Sequence, residues 1–250
     1  MSLTGQYTLC MTINRLFIPT LGPTDWRRLL ADPEKQWKPE KSALEMAVCW
    51  EAARDSDRGI PPEIARALDS VHELKGAELL LGIPEHKVQF TGGRHPSQND
   101  LWALLRVGQL HVSMTIEAKA GEPLDDLVKD WRKSASTNSG KPERLKALQR
   151  QLGIADVDVS HLRYQLLHRT ASALKEAERF GANVAVMLVQ SFNRTADEES
   201  WQDMLRFGEV MGVQLQENHV APSPRPTDIP LYIGWVNSKT ADPERLRAAI

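Results

Sequence analysis

Residues 100–119 read DLWALLRVGQLHVSMTIEAK. Two apolar-rich stretches, 100–107 and 110–120, flank Gly108-Gln109, and that dipeptide suits a two-residue hairpin with glycine in the first turn position. Side chains alternate between the faces of a strand. In the second stretch Val112, Met114, Ile116 and Ala118 therefore share one face, and Ser113, Thr115, Glu117 and Lys119 share the other. A turn at 108–109 pairs Val107 with Leu110 and, counting back, Asp100 with Glu117. Side chains directly opposite each other have Cβ atoms ~4.5–5.5 Å apart. Two carboxylates that close repel unless a cation sits between them. Lys119 offers one, which would make a surface salt bridge. A divalent metal suits better, because Mg²⁺ takes carboxylate and water oxygens at ~2.0–2.1 Å.

Working outward, residues 41–54 read as a helix with Ser42 as N-cap and Glu45 as its capping-box partner. Its apolar stripe is Leu44, Ala47, Val48 and Ala52, and Glu51 falls inside that stripe. A glutamate aimed at a core is costly unless it is paired or metal-bound. Glu51 is thus expected either beside Asp100 and Glu117 or against an arginine or a backbone group. Before this helix, prolines punctuate residues 1–40, with Trp26 and Trp37 as packing anchors. After it, Pro61 and Pro62 open a helix at 63–74, followed by a short strand at 87–90 and a turn-rich loop at 91–99. Thr91-Gly92-Gly93-Arg94 offers backbone N–H groups to a phosphate, but no Gly-Lys-Ser/Thr helix start follows it, which excludes a P-loop.

Beyond the hairpin the pattern predicts helices at 123–133, 141–152 and 161–180, a buried strand at 182–192, a helix at 198–211, a proline-rich loop at 221–230 and a strand at 231–236. The long helix at 161–180 has a polar face of His161, Gln165, His168, Arg169, Ser172, Lys175, Glu176 and Arg179. Such a face is ordinarily solvated. Alternatively, Gln165 and Arg169 face the metal site and the phosphates of a substrate. The mixture predicts an α/β fold, a mixed β-sheet flanked by helices, in a single domain over 1–250. Within it, 1–75 form an N-terminal helical flank that includes the first core helix, 76–192 a metal-site core, and 193–250 a helix-and-strand extension.

The chain has 250 residues, 41% hydrophobic and 26% charged, which excludes disordered, collagenous and coiled-coil classes. Two cysteines, Cys10 and Cys49, exclude a disulfide framework and a four-cysteine zinc site. No apolar run is long enough to span a bilayer and no signal peptide is evident, so the expectation is a cytoplasmic protein with no membrane partner. A formal net charge of −2 argues against non-specific coating of nucleic acid. Residues 129–179 nevertheless hold 11 basic against 6 acidic residues.

Asp100 followed by Glu117-Ala118-Lys119 resembles the PD-(D/E)XK signature of the restriction-endonuclease-like nuclease superfamily. The block from Gly93 through Asp100, the Glu-x-Lys, and Arg163-Tyr164-Gln165-Leu166-Leu167-His168-Arg169 together resemble an uncharacterised bacterial branch of it. Gln165 with Arg169 is similar to the glutamine helix motif of exonuclease-like members. Asn99, not proline, precedes Asp100, a departure that leaves the acids intact. The resemblance implies a restriction-endonuclease-like core and hydrolysis of nucleic acid, DNA preferred, with Mg²⁺ or Mn²⁺ as cofactor. Asp100, Glu117 and Glu51 would be the metal ligands, Lys119 would orient or deprotonate the attacking water, and Gln165 would position the water or the strand. Arg94, Lys133 and Arg169 are the expected nucleic-acid contacts, and a homodimer fits this class. Glu117→Ala and Lys119→Ala are expected to abolish cleavage and leave the fold intact. The alternative is a non-catalytic nucleic-acid-binding or regulatory protein that retains the nuclease fold.

Overall fold

The computed structural model describes residues 19–92, 95–133 and 139–250. Two short helices, α1 (Thr24–Arg27) and α2 (Pro33–Gln36), precede α3 (Ser42–Ala53) and α4 (Pro62–Asp69). Three strands follow, β1 (Glu78–Val88), β2 (Ser97–Val107) and β3 (Leu110–Lys119). Next come α5 (Val128–Lys133), α6 (Lys141–Gln151), α7 (Tyr164–Phe180), β4 (Val184–Ser191) and α8 (Glu198–Met211). The chain ends with β5 (His219–Pro222), β6 (Leu231–Asn237) and α9 (Pro243–Ala249).

Among the described residues the strands form one six-stranded mixed sheet in the order β1-β2-β3-β4-β6-β5. β1, β2 and β3 run antiparallel, whereas β3, β4 and β6 are mutually parallel, and β5 closes the far edge antiparallel to β6. The expected hairpin register holds from Val107↔Leu110 through Leu101↔Ile116, and Gly108 supplies the turn with φ of 57°. β4 is apolar on both sides, as a central parallel strand between two helical layers must be. Its Val184, Val186 and Leu188 pack with Leu44, Met46 and Ile64 of α3 and α4. Its Ala185, Met187 and Val189 pack with Leu167 and Ala171 of α7 and Phe207 of α8. The architecture is thus helices, sheet, helices.

Several elements depart from the sequence reading. Lys41, not Ser42, is the N-cap of α3, and it makes no side-chain cap. Ser42 instead donates its backbone N–H to Glu122 beyond β3 (3.0 Å), while Glu45 turns inward and accepts from the Ala241 N–H (2.8 Å). Long-range partners therefore displace the local capping box. β1 spans 11 residues rather than four, its apolar start hidden in the sequence by Gly82 and Pro84. α5 begins only at Val128, because Leu127 bridges Arg163 and the Val128 N–H bonds Leu162. β5 and α9 were not expected. Asp242 caps α9, and the Trp37 indole donates to the Ala249 carbonyl (3.0 Å), so the C-terminal helix is fastened to the helical flank. Trp26 and Trp37 are both buried, as expected of packing anchors. No helix among the described residues is long and apolar enough to cross a membrane.

The main consequence for the site is the orientation of α7. Most of its polar side is not solvated: Gln165, His168, Arg169, Ser172 and Glu176 are buried against the sheet, whereas Lys175 and Arg179 are half-buried and His161, ahead of the helix, is exposed. They meet the polar face of β3, where Thr115 Oγ1 donates to the Arg169 carbonyl (2.9 Å) and Ser113 Oγ to the Ala173 carbonyl (2.8 Å). Ser97 of β2 meets His168 Nδ1 at 2.6 Å, and His86 of β1 meets Glu176 at 2.9 Å. Burying so many polar groups is tolerable because they satisfy one another.

Candidate functional site

The hairpin register sets Asp100 and Glu117 side by side at one end of β2 and β3. Lys119, two residues beyond Glu117, projects from the same face. α7 lies across this face and delivers Gln165 and Arg169, four residues apart and hence on one side of the helix. Five groups converge as a result. Glu117 Oε1 accepts from Lys119 Nζ (2.8 Å) and from Gln165 Nε2 (2.8 Å). Glu117 Oε2 accepts from Arg169 Nε (2.6 Å). Arg169 Nη2 lies 3.6 Å from Asp100 Oδ1, and Asp100 Oδ2 accepts the Ala118 N–H (2.8 Å). The side chains of Glu117, Lys119 and Arg169 are 2%, 7% and 8% exposed, whereas Asp100 is 24% exposed and forms the opening to solvent.

The electrostatics follow from this packing. Burial alone would push the Glu117 carboxyl up, but the adjacent Arg169 and Lys119 charges outweigh it and hold Glu117 below its usual range. Burial would likewise lower Lys119, yet Glu117 and Asp100 raise it, so Lys119 is an ammonium and not a ready base. Partial burial drives the Asp100 carboxyl well above its usual range, and the Glu117 charge drives it further. His168, beneath Arg169, is held neutral by burial and by the neighbouring Arg169 and Arg144 charges.

A third acid, absent from the sequence reading, joins the row. The pairs Pro84↔Leu101 and His86↔Asn99 bracket Glu85 opposite Asp100, so Glu85, Asp100 and Glu117 lie on three adjacent strands. Glu85 has φ of 53°, a left-handed conformation that costs a non-glycine residue on the order of 1–3 kcal/mol. Its carboxylate accepts from Gln98 Nε2 at 2.5 Å. Burial pushes this carboxyl up to about 7 despite the Gln98 bond and the Arg169 charge. The folded state therefore keeps a proton that the unfolded chain releases near pH 4.5, and this contribution to stability is lost as pH rises from about 4.5 through 7. Glu85→Gln removes the loss. It is expected to stabilise the protein by on the order of 1–3 kcal/mol at pH 8 and to leave it nearly unchanged at pH 4. Thermal unfolding at the two pH values reads this; an equal effect at both would refute it.

The other expected residues divide. Gln165 joins the site, holding Glu117 with its nitrogen and the Asp125 N–H with its oxygen (3.2 Å). Glu51 does not join. Its Oε1 accepts from Thr20 Oγ1 (2.5 Å) and the Trp26 indole (2.8 Å), and Arg54 lies 3.7 Å from Oε2. The helical flank, invisible to the stripe argument, supplies these partners, so Glu51 is a structural carboxylate. Arg169 is buried on the acids instead of lining an open phosphate groove. Lys133 is exposed on α5 and pairs with Asp130 (2.9 Å). Arg94 lies outside the described residues. Cys49, on α3, packs against the core, and burial pushes its thiol up to about 12.

Carboxylates in a row, with the Asp100 carboxyl protonating readily beside Glu117, have the chemistry of a donor set for a divalent cation. As the side chains lie, however, Arg169 and Lys119 engage Glu117. Among the described residues no group of three or more His, Cys, Asp or Glu is arranged to hold a metal ion. The carboxylate donors are of the type such an ion takes, and in the resting arrangement Lys119 and Arg169 offset their charge.

A family model described as a domain of unknown function (DUF6946) matches residues 19–240. No curated protein and no solved structure matches the chain.

Proposed function

We propose that this chain, which belongs to the DUF6946 domain family, is a divalent-metal-dependent nuclease with a restriction-endonuclease-like core, acting in the cytoplasm on nucleic acid, DNA preferred. The observation that carries the reading is the set of Asp100, Glu117 and Lys119 on one sheet face with Gln165 reaching Glu117 from α7. Asp100 and Glu117 would hold the ion. When bound, Mg²⁺ or Mn²⁺ supplies Lewis-acid polarisation of the scissile phosphate and a more acidic water. Lys119 orients the attacking water and offsets negative charge that builds on the phosphate oxygens. Its ammonium form favours this role over deprotonating the water. Gln165 fixes Glu117 and, through the Asp125 backbone, the approach to α5. Lys129, Arg132 and Lys133 on α5 are exposed next to that approach and suit phosphate contact.

One observation favours a second reading. Arg169 already pairs with Glu117 at 2.6 Å and approaches Asp100 at 3.6 Å, as a protein that only binds nucleic acid would allow. Incubating the protein with supercoiled and linear DNA in Mg²⁺, in Mn²⁺ and in chelator separates the two. The nuclease reading expects cutting with either metal and none in chelator. Absence of cutting with either metal, on these DNAs and on single-stranded and duplex RNA assayed alongside, overturns it. Tight, steeply salt-dependent DNA binding in chelator would then favour the binder.

A further inference from the structure

We infer that Arg169 is the resident counter-ion of the site and that a divalent metal ion and the Arg169 guanidinium compete for Asp100 and Glu117. The inference rests on the metal-site reading above and specifies how that site is regulated. Its basis is how the donors are divided between the two Glu117 oxygens. Lys119 and Gln165 both bond Oε1, and Arg169 bonds Oε2. The same guanidinium reaches Asp100 Oδ1. Withdrawal of this single group therefore frees one oxygen on each acid at once. Lys119 and Gln165 meanwhile keep Glu117 in place, and the Ala118 N–H keeps Asp100 in place through Oδ2. The acids stay organised while their cation is exchanged.

The buried Glu117 carboxylate, 2% exposed, requires a cation beside it, since an uncompensated charge of this kind is strongly destabilising. Arg169 meets the requirement without metal, and its further hydrogen bond among the described residues, Nη1 to Ser97 Oγ, is long at 3.4 Å. A displaced guanidinium has another carboxyl group to turn to, because Asp125, whose backbone N–H already bonds Gln165, interacts with it electrostatically. The site thus holds one cation or the other. Metal binding is weaker than the acids alone would give, because the competent state with Arg169 withdrawn is a minority.

Two measurements test this. In the ¹⁵N-labelled wild type, the Arg169 Nε–H signal, assigned by its loss in Arg169→Gln, should be protected from exchange without metal and lose that protection as Mg²⁺ is added. By calorimetry, Arg169→Gln should bind Mn²⁺ about tenfold or more tightly than wild type. Should Arg169→Gln fail to fold, Arg169→Lys serves both for the assignment and as the weakened competitor. Mg²⁺ binding to the wild type with the Nε–H signal unmoved, or a variant that binds Mn²⁺ no more tightly, overturns the competition and leaves the metal site standing. No metal binding by either protein overturns the metal site, and the competition with it.

Discussion

Glu117→Ala is expected to destabilise the fold by about 3–5 kcal/mol, because removing one partner of a buried ion pair strands the other. Two cations are stranded here. Lys119 and Arg169, 7% and 8% exposed, each have Glu117 as a close carboxylate partner at 2.8 and 2.6 Å. Asp100 cannot replace it for Arg169, at 3.6 Å and with a carboxyl that readily protonates. Gln165 loses its acceptor as well. The spacing argument expected the fold to survive this substitution intact. The structure revises that, since Glu117 is the node of a buried network and not a ligand perched on an exposed sheet. Denaturant unfolding should show the loss directly, with a melting temperature lower by roughly 6–20 °C. A change within about 0.5 kcal/mol, the range of ordinary surface substitutions, would contradict the buried network.

Lys119→Ala is the cleaner probe of chemistry. Glu117 keeps Arg169 and Gln165 when the ammonium is removed, so the acid stays in position. The proposed loss is of charge stabilisation and water orientation at the phosphate. Cleavage in Mg²⁺ should therefore fall by about 10²–10³-fold, the scale seen when one preorganised electrostatic group is deleted. Initial rates of plasmid nicking at saturating Mg²⁺, with circular dichroism as a check on folding, measure it. Cutting at the wild-type rate by a folded Lys119→Ala protein would remove Lys119 from the mechanism.

The hairpin was fully legible in the sequence, because alternation and one glycine turn fix both face and register. Every observed β2–β3 pair agrees with the turn at Gly108. That carries Asp100, Glu117 and Lys119 to one end of one face. Gln165 was legible too, but for a reason opposite to the usual one: most of the polar side of α7 is buried, because the sheet offers Glu117, Ser97 and His86 as partners for its side chains. Helix periodicity identifies a polar face and does not say whether water or a polar strand covers it. Glu51 failed for the complementary reason. An apolar stripe locates a core, and this core is closed by Trp26, whose indole satisfies the carboxylate. Glu85 was missed because Gly82 and Pro84 obscure β1. Extending the strand to Glu78 would have set Glu85 across from Asp100. β5 and α9 were missed since their stability comes from docking, on β6 and on Trp37, and not from local pattern.

The metal site can be tested without knowing the substrate. Calorimetric titration of Mn²⁺ into the wild type, with Asp100→Asn alongside, is the most direct measurement. Asp100 is the more exposed acid and lies at the mouth of the site, so its amide variant should fold while losing a ligand. Saturable heat in the wild type that disappears in Asp100→Asn is the expected result. No heat in the wild type, or equal heat in both proteins, would contradict a metal site at Asp100 and Glu117 and leave these residues as a salt-bridged network that holds α7 to the sheet.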